Sequence, residues 1–248
     1  MTVIRNMLAM AAAGALCACG GDGNEAAPVA GNTAAPIAAV ASPDGRPWIE
    51  VVEKTPEGGF RMGNPDARVK LVEYGSFTCR HCADFSVASS APLRDKYIAS
   101  GQVSFEFRNF IRDPLDAMAA LLGRCQGPGP FFKLTEGIFA DQQNWMASLM
   151  NLPKAEQQRL DTLPQDERLM ALANATGLDR FLRQRGVPEA RIKACLADEG
   201  AANELEALLN TAQSQYKVNG TPTFLLNGEV IGTATWETLE PRLRAAIG

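Results

Sequence analysis

The sequence predicts an α/β fold whose sheet is interrupted by a large helical insertion. Three observations predict it. A strand, a helix and a second strand read off in succession between Val69 and Ile111; residues 113 to 217 carry almost only helical signals; strand signals return only at Thr223. Sheet elements therefore lie at both ends of a helical block, and the sheet must close around it. No repeat at a fixed period interrupts this reading.

The chain has 248 residues, 46% of them hydrophobic, enough to bury the core of one sizeable domain that carries an insertion. Charged residues make up 21% with a net charge of -4, so there is no basic field of the kind a phosphate backbone requires. Nucleic acid is not expected as a partner.

Residues 1–19 contain Arg5, no acid, and an apolar run from Met7 to Ala18 that is too short to span a membrane and suits a secretion signal. Leu16-Cys17-Ala18-Cys19 resembles a bacterial lipobox, which implies lipidation at Cys19; the alternative is that both cysteines are small apolar members of a discarded leader. Gly20, rather than Asp, follows Cys19, and in that family this does not signal retention at the inner membrane. Removal of residues 1–18 takes away Arg5 and leaves a net charge of -5. Residues 20–47 are rich in Ala, Gly, Pro and Asn without an apolar period, and read as a flexible linker. A coil of that length would reach roughly 30 Å.

Residues 48–111 form the first part of the sheet domain. Ile49, Val51 and Val52 followed by Gly58-Gly59 suggest a short edge strand and a turn. Val69 to Gly75 is a central strand that leads through Ser76-Phe77-Thr78 into Cys79. Phe85, Val87, Ala88, Ala91, Leu93 and Tyr97 then recur at helical spacing until Ser100-Gly101, with Pro92 as a point for a kink. Val103, Phe105 and Phe107 alternate with Ser104, Glu106 and Arg108 in a second strand. Residues 112–217 form the helical insertion, punctuated by Gly127-Pro128-Gly129-Pro130 and Asn151-Leu152-Pro153. Residues 218–248 complete the sheet domain: Thr223 to Leu226, an Asn227-Gly228 hairpin turn, Glu229 to Ile231, and a last helix from about Trp236.

The chemistry is concentrated in Cys79-Arg80-His81-Cys82. At a strand-to-helix junction this spacing puts two thiols on one helical face, close enough to bridge with little backbone change. Free N–H groups and the dipole at the helix start favour the Cys79 thiolate, and Arg80 and His81, the single histidine, add positive charge beside it. A depressed thiolate pKa favours the reduced state and makes the disulfide oxidising. Two other readings stand beside this one. A zinc half-site would need a second pair at metal spacing, which the sequence lacks, so no metal and no cofactor are expected; a purely structural disulfide is the other.

Val72-Glu73-Tyr74-Gly75-Ser76-Phe77-Thr78-Cys79-Arg80-His81-Cys82, together with Gly220-Thr221-Pro222-Thr223-Phe224, resembles the thioredoxin-like disulfide oxidoreductases of the DsbA and DsbG type. The resemblance spans roughly residues 59 to 247. It implies a thioredoxin fold with an inserted helical domain, Cys79 as the nucleophile and Cys82 as the resolving thiol. It also implies that Pro222 is cis against the Cys pair, whereas an X-Pro bond read by itself is more often trans. Thr221 is implied to offer backbone hydrogen bonds to a substrate strand; Arg80 and Phe77, which flank the Cys pair in the sequence, are further candidates for substrate contact. Glu73 takes the place of the family's buried acid, which relays a proton to or from Cys82; read from the strand alone, it could equally face solvent. Arg80 departs from the family, where DsbA-type oxidants commonly have Pro, and leaves open whether the protein is an oxidant or an isomerase or reductase. The family's isomerases carry an N-terminal dimerisation domain, and residues 20–47 are too short to be one, which favours a monomer.

In an oxidising compartment Cys125 and Cys195 are expected to pair and close a loop of roughly 70 residues, worth about 4 kcal/mol; two free buried thiols are the alternative. Phe77, Phe85 and Trp145 could offer an apolar surface to unfolded clients or could simply be core. The expectation is a monomeric periplasmic oxidant that introduces disulfides into exported proteins through Cys79 and Cys82, with an isomerase or reductase of the same fold as the alternative; it acts on reduced or misfolded exported clients, is held to the membrane by a lipid anchor only and is reset by a membrane redox partner. A tethered binding protein or holdase with a structural Cys pair is the alternative from another class.

Overall fold

The computed structural model describes residues 37–248. The leader, Cys17, Cys19 and linker residues 20–36 lie outside the described residues.

A six-stranded mixed sheet forms the centre, in the order β1-β2-β4-β3-β5-β6. β1 (Val52–Lys54) and β2 (Phe60–Gly63) make an edge hairpin. β3 (Val69–Gly75) and β4 (Val103–Asn109) are parallel neighbours joined by α1 (Arg80–Pro92), the βαβ unit of the sequence reading. β5 (Thr223–Leu226) lies antiparallel to β3 on its other side, and β6 (Glu229–Gly232) closes that edge. Their turn places Asn227 at φ 51° and Gly228 at φ 87°, the left-handed pair that a two-residue hairpin demands.

α1 gives way at Pro92 to a π-helical turn, Leu93–Ile98, because proline supplies no N–H to continue the ladder. Between β4 and β5 stand α2 (Pro114–Arg124), α3 (Pro128–Ala140), α4 (Gln142–Met150), α5 (Lys154–Thr162), α6 (Gln165–Thr176), α7 (Leu178–Arg183), α8 (Glu189–Leu196) and α9 (Glu199–Gln215). α10 (Trp236–Ile247) ends the chain with a capping box at Thr235 and Thr238.

Both faces of the sheet are covered. Phe60, Phe77, Phe85, Phe107, Phe131 and Phe139 fill the face toward α1 and α3. Val72, Tyr74, Phe110, Ala212 and Leu225 form a smaller cluster on the other face, under α9. Double coverage explains why the polar residues of β4 are also buried: Arg108 pairs with Glu106 at 2.7 Å and donates to the Tyr74 hydroxyl at 3.1 Å.

Two expectations need revision. The sequence reading stopped the edge at the Gly58-Gly59 turn, whereas a second strand, β2, follows it; four residues are too few for alternation to declare a strand. The described part of the linker also lies along the domain. Ile37 packs against the core, Val40 N–H donates to Ser100 O at 2.7 Å, and Trp48 Nε1 donates to Val40 O at 2.7 Å. Isolated apolar residues, without a period, are enough when an existing core receives them.

Among the described residues no helix is long and apolar enough to cross a membrane.

Candidate active site

The site begins where β3 leaves the sheet. After Gly75 the chain turns through Ser76-Phe77-Thr78, and Cys79, with extended dihedrals of φ -87° and ψ 118°, caps α1. Its N–H donates to Ser76 O at 3.1 Å, and its carbonyl accepts from Ala83 N–H at 3.2 Å. Cys79 therefore sits at the helix start with the unpaired amides of the first turn around its sulfur.

The helical insertion holds this turn from behind. Asp116, on α2, has no solvent exposure and accepts from the Ser76 hydroxyl at 2.7 Å, from Phe77 N–H at 2.8 Å and from Arg112 N–H at 3.1 Å. Gln142, the first residue of α4, donates through Nε2 to Phe77 O at 2.7 Å and to Cys79 O at 2.9 Å. Asp113 caps α2 and also accepts from the Thr78 hydroxyl at 3.2 Å. Burial pushes Asp116 up to about 7, against the lowering pull of Ser76 and the two amides.

From the other side comes the loop before β5. The Thr221–Pro222 peptide bond is cis, and the Cys79 thiol donates to Thr221 O at 3.2 Å. The two cysteines, unbonded and three residues apart, differ sharply. Cys79 is lowered to about 5, chiefly by a hydrogen bond from Cys82, then by the Thr221 side chain and by the N–H groups of Cys82 and His81, with burial opposing. Cys82 has no exposed surface, and burial pushes its thiol well up, with Cys79 and Glu73 adding to the rise.

Glu73 lies one layer below. It is 2% exposed and stands in register between Phe107 on β4 and Phe224 on β5. Burial first, and then the negative charge of Cys79, raise its carboxyl well above the usual range. Of its two readings in the sequence, the solvent-facing one is excluded by this burial.

Arg80 and His81 are both exposed, and the Arg80 guanidinium lies 3.7 Å from Asp84 in solvent. It is the backbone N–H of His81 that acts on the Cys79 sulfur. Phe77 does not offer a client surface: it is fully buried, with ring centroids 4.9 Å from Phe139 and 5.9 Å from Phe107. Phe85 and Trp145 are likewise core, Trp145 donating Nε1–H to Ile138 O at 2.9 Å. Aromatic side chains beside a functional loop are buried when two layers meet above it, and the sequence does not contain that second layer. Cys125 at the end of α2 and Cys195 on α8 are bonded to one another.

Asp116 and Gln142 escape the sequence reading. Asp113-Pro114 is a recognisable helix start, but nothing in the spacing says that Asp116 reaches back 39 and 40 positions, or Gln142 63 and 65.

A family model described as thioredoxin matches residues 55–245. Among solved structures, a protein-disulfide isomerase from Novosphingobium aromaticivorans is 34% identical, with a TM-score of 0.71 over 76% of this chain and 96% of that one. Wolbachia pipientis alpha-DsbA1 shares the fold at a TM-score of 0.63 and 19% identity, over 81% of this chain and 96% of that one. A Rickettsia bellii protein provisionally named a protein-disulfide oxidoreductase is 29% identical over 73% of this chain. The chain spans about three fifths of the length of that curated relative, 61%.

Proposed function

Because the chain belongs to the thioredoxin family, in its DsbA-type branch, we propose that it is a protein-disulfide oxidoreductase that introduces disulfides into exported proteins through Cys79 and Cys82. The observation that carries this reading is the asymmetry of the pair: a thiolate-forming Cys79 at a helix start beside Thr221, and a buried Cys82 held as a thiol.

The reaction follows from that asymmetry. In the oxidised pair, a client thiolate attacks Cys79 Sγ; the client–Cys79 bond forms, the Cys79–Cys82 bond breaks, and the electron pair leaves on Cys82. Buried Cys82 cannot remain an anion, and the neutral Glu73 carboxyl below it gives up its proton. A second client thiolate then attacks the client sulfur of the mixed disulfide, and Cys79 departs as a stable thiolate. The client dithiol is oxidised by two electrons and the pair is reduced by two. The contact of the Thr221 carbonyl with the Cys79 thiol at 3.2 Å supports a role for this backbone in pairing with an extended client segment beside the sulfur. Asp116 and Gln142 act as positioning residues that keep the Cys79 turn fixed to the insertion while the bond changes hands.

Periplasmic location, clients among exported proteins, a monomeric state and resetting by a membrane redox partner complete the proposal, supported by the leader-like residues 1–19. Mass spectrometry of the mature N-terminus tests the anchor: a lipid on Cys19 supports it, and an unmodified Ala or Gly start removes it. Cys79→Ser is expected to abolish oxidation of a reduced test protein, and unchanged oxidation would sink the enzymatic reading in favour of a holdase. A second reading, isomerisation or reduction of wrong disulfides, is favoured by Arg80 and by the name of the Novosphingobium relative. Equilibration of the pair with glutathione separates the two, since a potential near the reducing end of the family excludes the oxidant.

A further inference from the structure

Two open clefts meet beside the Cys79 turn. One, of about 610 Å³, runs between the end of β4 and the loop before β5, with Phe110, Gln213, Lys217, Val218 and Gly220 in its walls. Gly220 directly precedes Thr221, whose carbonyl meets the Cys79 thiol at 3.2 Å. The other, of about 640 Å³, enters the helical insertion between α2, α6 and α9, where Leu121, Leu163, Leu169, Leu205 and Leu209 line it. Both volumes lie within the range of sites that hold ligands. Ile111 and Arg112 belong to both clefts, which therefore make one path from the cis-proline loop into the insertion.

Arg112 stands at the junction. Its backbone N–H donates to Asp116 at 3.1 Å, the same buried carboxylate that accepts from Ser76 and Phe77, so the residue is fixed relative to Cys79. Its side chain is exposed, and among the described residues its guanidinium has no hydrogen-bond or ion-pair partner. The other charged groups along the path are Lys217 and Arg168, and the acids Asp113 and Glu206. Asp113 is engaged, accepting from Asp116 N–H at 2.8 Å and from the Thr78 hydroxyl at 3.2 Å. Arg168 donates to Asp161 at 2.8 Å through a terminal nitrogen but keeps a buried Nε without a partner. The donors left open are thus those of two arginines at the rim of an apolar cleft, and a carboxylate is their complement.

We propose that this path is a specificity subsite for client segments that combine an acidic and an apolar residue: an Asp or Glu of the client pairs with Arg112, and a neighbouring apolar side chain enters the leucine-lined cleft of the insertion. The proposal rests on the oxidoreductase reading and names the clients it favours. A client chain is the fitting occupant because the path starts at the backbone beside Cys79, and a segment held there continues along it. The guanidinium fork matches a carboxylate, and the leucine walls take an apolar side chain out of water. This gives the insertion a part in choosing clients as well as in holding the Cys79 turn.

The test is fluorescence anisotropy of the full chain with short labelled peptides that lack cysteine and carry Asp-Leu, Lys-Leu or Asp-Ser at one place. The Asp-Leu peptide is expected to bind about fivefold tighter than Lys-Leu and about tenfold tighter than Asp-Ser. Arg112→Glu should reverse the first preference, and Ala202→Trp, which fills the cleft from the α9 wall, should erase the second. Equal binding of Asp-Leu and Lys-Leu by the wild type, or an unchanged preference in Arg112→Glu, overturns the proposal. Should Ala202→Trp fail to fold, Arg112→Glu keeps the question open to refutation, because the side chain it replaces bonds to nothing within the described residues. Sodium decanoate bound in the cleft without any peptide binding would assign it to a small amphiphilic acid and overturn the client subsite. Reduced peptides of the same design with a cysteine pair should be oxidised in the same order of kcat/KM. Peptides bound with the expected preference but never oxidised would refute the oxidoreductase and leave the subsite; oxidation at one rate whatever the sequence would refute the subsite and leave the oxidoreductase.

Discussion

Replacing Cys82 with Ala should raise the thiolate midpoint of Cys79 while leaving its place at the helix start intact. Folding moves that midpoint from 9.0 to about 5, and the hydrogen bond from Cys82 is the largest lowering influence. Four pKa units would correspond to about 5.4 kcal/mol between the two protonation states, an upper bound because water at the sulfur's open side screens part of it. A hydrogen bond to an ionised partner contributes about 1.5–3 kcal/mol, equivalent to roughly one to two pKa units. Ala keeps the amide of residue 82 and the capping geometry, so the backbone share should survive. The expected midpoint for Cys82→Ala is therefore roughly 6 to 7, against about 5 for the reduced wild type. The assay is ultraviolet absorbance of the thiolate as a function of pH, checked by the rate of alkylation with iodoacetamide. An unchanged midpoint would show that the helix start alone sets the acidity, and would refute the role given to the second thiol.

The reduction potential should change slope near pH 5, where Cys79 titrates. The folded midpoint is depressed, so the stabilisation of the reduced fold is complete above the ordinary thiol range and is lost as the pH falls through about 5. Below the break the reduced pair carries two protons and the potential should fall by about 60 mV per pH unit; above it, with Cys82 still a thiol, by about 30 mV. One constant slope from pH 4 to 8, measured against glutathione, would contradict the assignment. Gln142→Ala removes the bonds to Phe77 O and Cys79 O, and should cost about 1–3 kcal/mol in urea denaturation together with slower disulfide exchange. Stability lost without any change in exchange would leave Gln142 a purely structural residue. Replacing Cys125 and Cys195 together by Ser opens a loop of 70-residue separation, and a loss of about 4 kcal/mol is expected in thermal or urea unfolding. A loss below about 1 kcal/mol would mean that the insertion holds its shape through packing alone.

What the sequence determined by itself is whatever depends on near neighbours. The strand-turn-helix run from Val69 through the Cys pair, the alternation of β4, the Asn227-Gly228 hairpin and the helical block between them are local patterns, governed by dihedral preferences and periodicity, and the structure carries all of them. The Cys79-x-x-Cys82 spacing belongs with them, because three residues on a helix bring two thiols together whatever surrounds them. Which face each residue presents was a different matter. Glu73 is buried because β5 and β4 flank β3 and the α1 layer covers it; Phe77 is core because α3 closes over the Cys79 turn. Asp116 and Gln142 reach that turn only because α2 and α4 fold back across it, and the leucine-lined cleft exists only where α2, α6 and α9 meet. Burial, desolvation and hydrogen bonds between distant segments arise when layers pack, and no window along the chain contains both layers.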